Sequence, residues 1–304
     1  MPASAIRDAK ILVIGDVIND VVVRPVGPIA PGADRRAAIR TLPGGSGANQ
    51  AAWLAHYGTR TVFVGRVGAA DLVQQAALLA AHGVEPVLAA DPVLPTGTIV
   101  TLLSPDGERS FLTDRGANRN LCRADLADRL VDAADFVHVS GYALFEARPR
   151  AAILDLLAAV ARRKISWSVD PSSYSFLQEV GPRAFVGWTR EARICFPNHV
   201  EAALLAGSSD IGAQLDVLTR FYELVVIKRG ADGAAAGAAD GQRWSAPAPA
   251  VRANDTTGAG DAFLGAFLAE WLRGEDVDMA LGAGVRAGSQ AVTFLGGRPP
   301  PPLQ

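Results

Sequence analysis

At 304 residues, 49% of them hydrophobic, the chain is long enough for one large α/β domain with a sizeable core. Its 29 Lys and Arg stand against 31 Asp and Glu, a formal charge of −2, which leaves no electrostatic case for nucleic acid or an anionic membrane and points to a small-molecule partner. Two cysteines (Cys122, Cys195) and four scattered histidines (His56, His82, His138, His199) offer neither a disulfide framework nor metal-ligand spacing, and the start MPASAIRDAK carries no long apolar run, so a reduced, cytoplasmic protein is expected.

Lys10–Gly15 (KILVIG) is a continuous β-branched run ending in glycine, the pattern of a parallel strand buried on both faces. Asp16 and Asp20 bracket its exit. Carboxylates at the carboxyl edge of such a sheet can hold a ligand's hydroxyls, although turn chemistry explains Asp16 equally well. From Val21 to Leu42, VVVRPV and AAIRTL flank a Pro/Gly-rich stretch without helical period, which predicts a small β excursion from the main sheet. Gly44-Gly45-Ser46-Gly47 then turns into a helix with Ala48, Ala51, Ala52 and Ala55 on one face; Asn49 in its first turn offers a donor and an acceptor suited to vicinal hydroxyls. A Walker A lysine pattern is missing, as is G-x-G-x-x-G after the first strand, which disfavours P-loop and dinucleotide readings.

From Arg60 the chain alternates strand (RTVFVGRVG), helix (DLVQQAALLAAHG) and strand (VEPVLA), the rhythm of a doubly wound α/β fold. Thr96–Leu103, the turn Ser104–Gly107 and Glu108–Thr113 read as a hairpin leading to Asp114–Asn118; with residues 21–42 it would make a small β-sheet lid, useful for excluding water. Helices near 123–133 and 148–163 and strands at 135–140, 165–170 and 192–197 follow. Asn198 and Glu201 then open a helix as NxxE, which serves as a capping box or, equally, as a pair holding a hydrated Mg²⁺ and its phosphates. LVVIK (224–228) is a buried strand whose Lys228, with Gly230 and Gly233, either approaches phosphates or ends the strand in solvent; a hairpin, GAAAGAADGQRWSA, comes next.

The stretch NDTTGAGDAFLGAF (254–267) is the most informative. Gly258-Ala259-Gly260-Asp261 runs into an apolar helix reaching about Arg273, and bare N–H groups at a helix start are a seat for an anion. The positive helix end is expected to favour ionised Asp261, placing a base beside that seat, the arrangement of phosphoryl transfer. On GAGD alone, the favoured reading of Asp261 is an ordinary first-turn carboxylate stabilising a buried helix; the wider pattern DTTGAGDAF is what tips it. A helix over 278–295 and a stiff or disordered tail, GGRPPPPLQ, complete the chain.

GxxxxD after the first strand, GGSGAN before the second major helix, NxxE in the middle and DTTGAGD late, in that order over Lys10 to about Gly297, resemble the PfkB (ribokinase-like) family of carbohydrate kinases. The resemblance implies one kinase domain over 1–304 with a Rossmann-type three-layer α/β core, the lid of about 21–42 and 96–118 inserted in it, and ATP- and Mg²⁺-dependent phosphorylation of an alcohol on a small sugar or nucleoside. By motif, Asp261 would be the general base and Gly258, Ala259 and Gly260 the anion hole. Asp20, Gly45 and Asn49 would bind the acceptor. Asn198 and Glu201 would hold Mg²⁺ through water, beside the nucleotide groups Lys228, Gly230 and Gly233. Asp255 and Thr257 resemble part of a monovalent-cation site, so K⁺ joins the implied cofactors.

Departures bear on the acceptor. Ser46 stands where ribokinases proper often carry lysine, and Lys228 where many relatives place a small hydroxyl residue. Arg109 and Arg115, in or near the lid, are candidates for contacting an acidic or phosphorylated acceptor. A nucleoside kinase, with Phe111 or Tyr142 stacking on a base, is the nearest rival; a non-catalytic sugar- or nucleotide-binding regulator and an NAD-dependent oxidoreductase rank below it. An exposed lid edge would also suit a homodimer.

Overall fold

The structure, a computed structural model, describes residues 9–103, 109–274 and 276–300. In chain order, β1 (Lys10–Ile14) leads to β2 (Ile18–Pro25), β3 (Ala37–Gly44), α1 (Ser46–His56), β4 (Arg60–Gly68), α2 (Leu72–Ala80) and β5 (Glu85–Asp91). Next come β6 (Gly97–Leu103), β7 (Arg109–Asp114), α3 (Asp128–Asp132), β8 (Phe136–Ser140), α4 (Tyr142–Phe145), α5 (Ala147–Arg162) and β9 (Ser166–Asp170). The last part holds α6 (Tyr174–Val180), α7 (Pro182–Thr189), β10 (Ile194–Cys195), α8 (His199–Ala206), α9 (Ile211–Leu218), β11 (Leu224–Lys228), β12 (Ala234–Ala238), β13 (Arg243–Ala246), α10 (Ala259–Gly274) and α11 (Val277–Ala291).

Nine strands form the main sheet in the order β13-β12-β11-β10-β9-β8-β1-β4-β5, parallel from β11 to β5 and antiparallel at the β12–β13 edge. Alternation along each strand sends side chains to two separate cores. Leu12, Ile14, Val62 and Val64 pack with the helices around α5, whereas Ile11, Val13 and Phe63 pack with α1, α10 and α11. Both faces are therefore covered, which is why these strands read as unbroken apolar runs. The result is the three-layer α/β core expected from the alternating pattern.

A second sheet, β3-β2-β6-β7, joins two segments distant in sequence through a parallel β2–β6 pairing from Ile18↔Gly97 to Val23↔Leu102. The excursions expected near 21–42 and 96–118 fall in it, but its strands begin at Ile18 and end at Asp114. Residues 115–118 instead fold back onto the main body, where Asn118 accepts from the Val17 N–H at 3.0 Å. The expected Ser104–Gly107 turn lies outside the described residues.

Three local expectations change. The helix near 123–133 is divided into a 3₁₀ turn at Arg123–Asp125 and the short α3. The strand expected at 192–197 pairs only over Ile194–Cys195. Of the tail, Gly296–Arg298 is docked rather than free: Trp53 Nε1 donates to Gly297 O at 2.9 Å, and Arg298 is 5% exposed.

Candidate functional site

The start of α10 is held in place from both sides. Asp255 is buried, and its carboxylate accepts from the Thr257 N–H (2.9 Å) and from the Gly296 N–H (3.1 Å), tying the turn to the segment after α11. Gly258 has φ +74, and a Cβ there would lie 2.4 Å from Gly297 Cα, so conformation and close approach both demand glycine. The Ala262 N–H reaches back to Gly258 O at 2.8 Å as the helix begins, leaving the N–H groups of 258–260 at its positive end.

Asp261 is the third residue of α10. Its Oδ1 accepts from Ser46 Oγ at 2.8 Å and its Oδ2 from Asn49 Nδ2 at 3.1 Å, so the two glycine-rich helix starts meet although more than 200 residues separate them. Burial, with the charge of Asp170 adding to it, pushes the carboxyl up to about 7 against the hydrogen bonds from Ser46 and Asn49 and the charge of Lys228. The helix end was expected to favour the ionised form; desolvation outweighs it. Asp261 makes no ion pair among the described residues and lines a cavity.

Beneath it runs a buried polar chain. Gln50 Nε2 donates to Ser46 Oγ (2.9 Å) and to Asp170 Oδ2 (3.1 Å), and its Oε1 accepts from His138 Nε2 at 3.0 Å. Burial lowers the His138 imidazole to about 3, so it is neutral, and its Nδ1 lies 2.8 Å from Ser168 Oγ. Lys228 Nζ donates to Asp170 Oδ2 at 2.7 Å. Burial alone would depress this ammonium, but Asp170 and Glu201 outweigh it and hold it above its ordinary value. A Cβ on Gly260 would lie 3.6 Å from Nζ, so the cation sits against the helix start.

The cavity measures 830 Å³. The residues 258–261, Lys228, Gly230, Gly233, Asn198 and Glu201 all line it, together with Ser46, Asp170 and an apolar wall of Ala248, Pro249, Val251, Phe263, Val285 and Val292. The sequence had separated these candidates by up to 63 residues; the carboxyl ends of β9 and β11 and the first turns of α8 and α10 converge on one space. Asn198 and Glu201 do form a capping box: Asn198 Oδ1 accepts from the Val200 and Glu201 N–H groups, and Glu201 Oε2 accepts from the Asn198 N–H at 2.9 Å. Burial and the nearby Asp170 raise Glu201 to about 7 against the pull of Lys228. Among the described residues no three His, Cys, Asp or Glu side chains cluster as a metal cage. Glu201, which shares the cavity wall with Asp170 and Asp261, fits Mg²⁺, which keeps several waters and takes ligands from substrate phosphates.

Of the residues expected to bind an acceptor, Gly45 and Asn49 sit at the start of α1 and Asp20 on β2. Gly45 has φ +94 and abuts Asp16 O, so it shapes the turn into α1. Asn49 is buried, and its Oδ1 has no hydrogen-bond partner among the described residues. Asp20 sits on β2 of the second sheet, accepts from Thr101 Oγ1 at 2.9 Å, and is outside the 830 Å³ cavity. Arg115 is buried and bonded to Asp16 Oδ2 at 3.0 Å, with its guanidinium 4.8 Å from the Tyr142 ring centre, while Asp16 Oδ1 accepts from the Gly47 N–H. Asp16 and Arg115 thus brace each other and the turn. Arg109 begins β7. Sequence reasoning did not single out Asp170, Gln50 or His138 as site residues. Asp170 ends a buried run and could have been flagged by its strand end; Gln50 and His138 carry no local signal.

The pfkB family carbohydrate kinase model matches residues 8–303. An ATP-dependent ribose-1-phosphate kinase of Halopiger xanaduensis is 32% identical over 90% of this chain and 88% of its own length. An aminoimidazole riboside kinase of Salmonella typhimurium is 29% identical over 94% of this chain and 90% of its own. Among solved structures, an E. coli protein described as a ribokinase II, in complex with ATP and Mg²⁺, superposes with a TM-score of 0.85 at 23% identity, covering 95% of this chain and 94% of that one, which shows the ribokinase-like fold.

Proposed function

The chain belongs to the pfkB family of carbohydrate kinases, and from that premise we propose that it transfers the γ-phosphoryl group of ATP to a hydroxyl of a small sugar, with Asp261 as the base. The observation that carries this reading is the position of Asp261, bonded to Ser46 and Asn49 and half-buried in the wall of the cavity that Gly258–Gly260 and Lys228 also line. The 830 Å³ space with apolar flanks and a polar floor suits a nucleotide. In this reading the N–H groups of 258–260 and the Lys228 ammonium stabilise charge on the transferring group, and Asp261 takes the proton from the acceptor hydroxyl. Gly230 and Gly233 let phosphates approach closely. Bound Mg²⁺, held by Glu201 with Asn198 through water, supplies neutralisation of phosphate charge.

On the acceptor side, Gly45 shapes the floor, the unpaired Asn49 Oδ1 takes a hydrogen bond from a sugar hydroxyl, and Asp20 holds another from the second sheet, which acts as a lid over the acceptor. A nucleoside acceptor is the second reading, favoured by the riboside kinase relative. Tyr142, whose ring already lies beside the Arg115 guanidinium, keeps the sugar ahead. K⁺ beside Asp255 and Thr257, a homodimer through the second sheet, and a cytoplasmic location complete the proposal. Among the described residues no helix is long and apolar enough to cross a membrane.

The test is an ATP-consumption screen over pentoses, hexoses, sugar acids and nucleosides, in K⁺ and in Na⁺, with Asp261→Asn alongside. Turnover of sugars that falls about 10²–10⁴-fold in the variant is expected. Turnover of a nucleoside and no sugar would reverse the two readings, and none with any acceptor would leave a binding protein.

A further inference from the structure

Arg298, in the segment after α11, has no part in the proposed reaction, and among the described residues it is a buried charge without an ion-pair partner. It is 5% exposed, yet no carboxylate pairs with it among the described residues. Its Nη2 donates to Gly44 O over a long 3.4 Å, and its Nε and Nη1, both buried, have no acceptor among the described residues. Burial depresses the guanidinium to about 10, so at neutral pH it remains a cation. A desolvated charge with unfilled donors is destabilising unless an anion meets it.

Its surroundings say which anion. Gly44 immediately precedes the Gly45 turn into α1. The neighbouring Gly297 packs so closely on Asn49 that a Cβ there would lie 2.3 Å from Asn49 Nδ2. Asn49 Oδ1 is the other buried group here without a partner. Unfilled donors of a cation and an unfilled acceptor thus adjoin the same loop, next to the carboxylate of Asp261 that Asn49 holds. Two other buried cations of this region are occupied, Arg115 by Asp16 and Lys228 by Asp170. An acceptor sugar with both a hydroxyl and a negatively charged substituent would fill what the protein leaves unfilled. Guanidinium donors suit phosphate and carboxylate oxygens alike.

Resting on the kinase reading above, we propose that the acceptor is an anionic sugar, bearing a phosphate monoester or a carboxylate, and that Arg298 is the residue that selects it. The role expected of Arg109 or Arg115 passes to a residue near the C-terminus.

The experiment compares matched acceptors with the full chain, ATP and Mg²⁺: ribose against ribose 1-phosphate, and glucose against gluconate. The charged member of one pair should exceed its neutral counterpart by about 10²-fold in kcat/KM, the scale of losing one partner of a buried charge pair. The pair that shows the preference distinguishes phosphate from carboxylate. Arg298→Met should remove most of that ratio, mainly through acceptor KM. Arg298→Lys, which keeps the charge and loses the planar donor array, should fall between, and it serves if the Met variant does not fold. Neutral sugars used as well as charged ones, or Arg298 variants that lower both members of a pair equally, would overturn the proposal while leaving the kinase intact. If no acceptor turns over, the kinase reading fails separately; ribose 1-phosphate, gluconate or inorganic phosphate must then still raise the melting temperature of the wild type by more than that of Arg298→Lys, or the anion site fails as well.

Discussion

Asp261 shows how one side chain carries two opposed physical demands. As the proposed base it must be sheltered enough to face an alcohol without competing water, and that shelter pushes its carboxyl up to about 7. A base with that value is half ionised at neutral pH, which suits proton transfer. The kcat/KM of the wild type should therefore rise about tenfold per pH unit below 7 and level off above it, a limb that Asp261→Asn should lose. Stability should move the other way. The native carboxyl keeps its proton to higher pH than the unfolded one, ordinarily near 3.8, so the folded state binds more protons between these values and loses stability as pH rises through them. Asp261→Asn removes that loss. Its melting temperature relative to the wild type should be higher at pH 8 than at pH 4, and an equal difference at both would mean that the carboxyl is not raised.

At the scale of elements, the site depends on helix starts rather than on helix bodies. α10 begins at a glycine in left-handed conformation pressed against Gly297, and α1 at Gly45, also left-handed, pressed against Asp16. Gly258→Ala would put a methyl group 2.4 Å from Gly297 Cα, which forces the turn to shift and moves the N–H groups of the proposed anion hole. We expect about a 10²–10³-fold loss in kcat, the range seen when an oxyanion donor is removed, with acceptor KM changing less. Gly274→Ala, at the far end of α10 where a Cβ meets nothing within 4 Å, is the control and should leave kcat unchanged. A Gly258→Ala enzyme with wild-type kcat would remove this helix start from the mechanism.

At the scale of the molecule, the two sheets divide the labour. The main sheet converges strand ends and helix starts on the cavity, whereas the second sheet carries Asp20, proposed above to hold the acceptor, and leaves apolar side chains uncovered: Ile39 is 62% exposed, Phe111 59% and Leu112 62%. Such a surface on an exposed sheet is an invitation to pairing, and it supports the proposed homodimer. Light scattering should report a dimer for the wild type and a monomer for Phe111→Glu/Leu112→Glu. A wild-type monomer at tens of micromolar would discard that interface.

The sequence by itself determined the α/β alternation, the β excursions and the helix starts, because each is written in local period and glycine placement: KILVIG buries both faces, and GGSGAN and GAGD mark turns that open helices. Residues whose role lies in a distant contact were illegible. Arg115 looked like a ligand-binding side chain and is bonded to Asp16, Arg298 looked like part of a free tail and is buried against Gly44, and nothing near Gln50 or His138 in the sequence announces the chain that supports Ser46. The ionisation of Asp261 was misjudged for the same reason. A helix end is a local feature that sequence shows, whereas desolvation is the sum of everything packed around a group, and only the tertiary structure decides that sum.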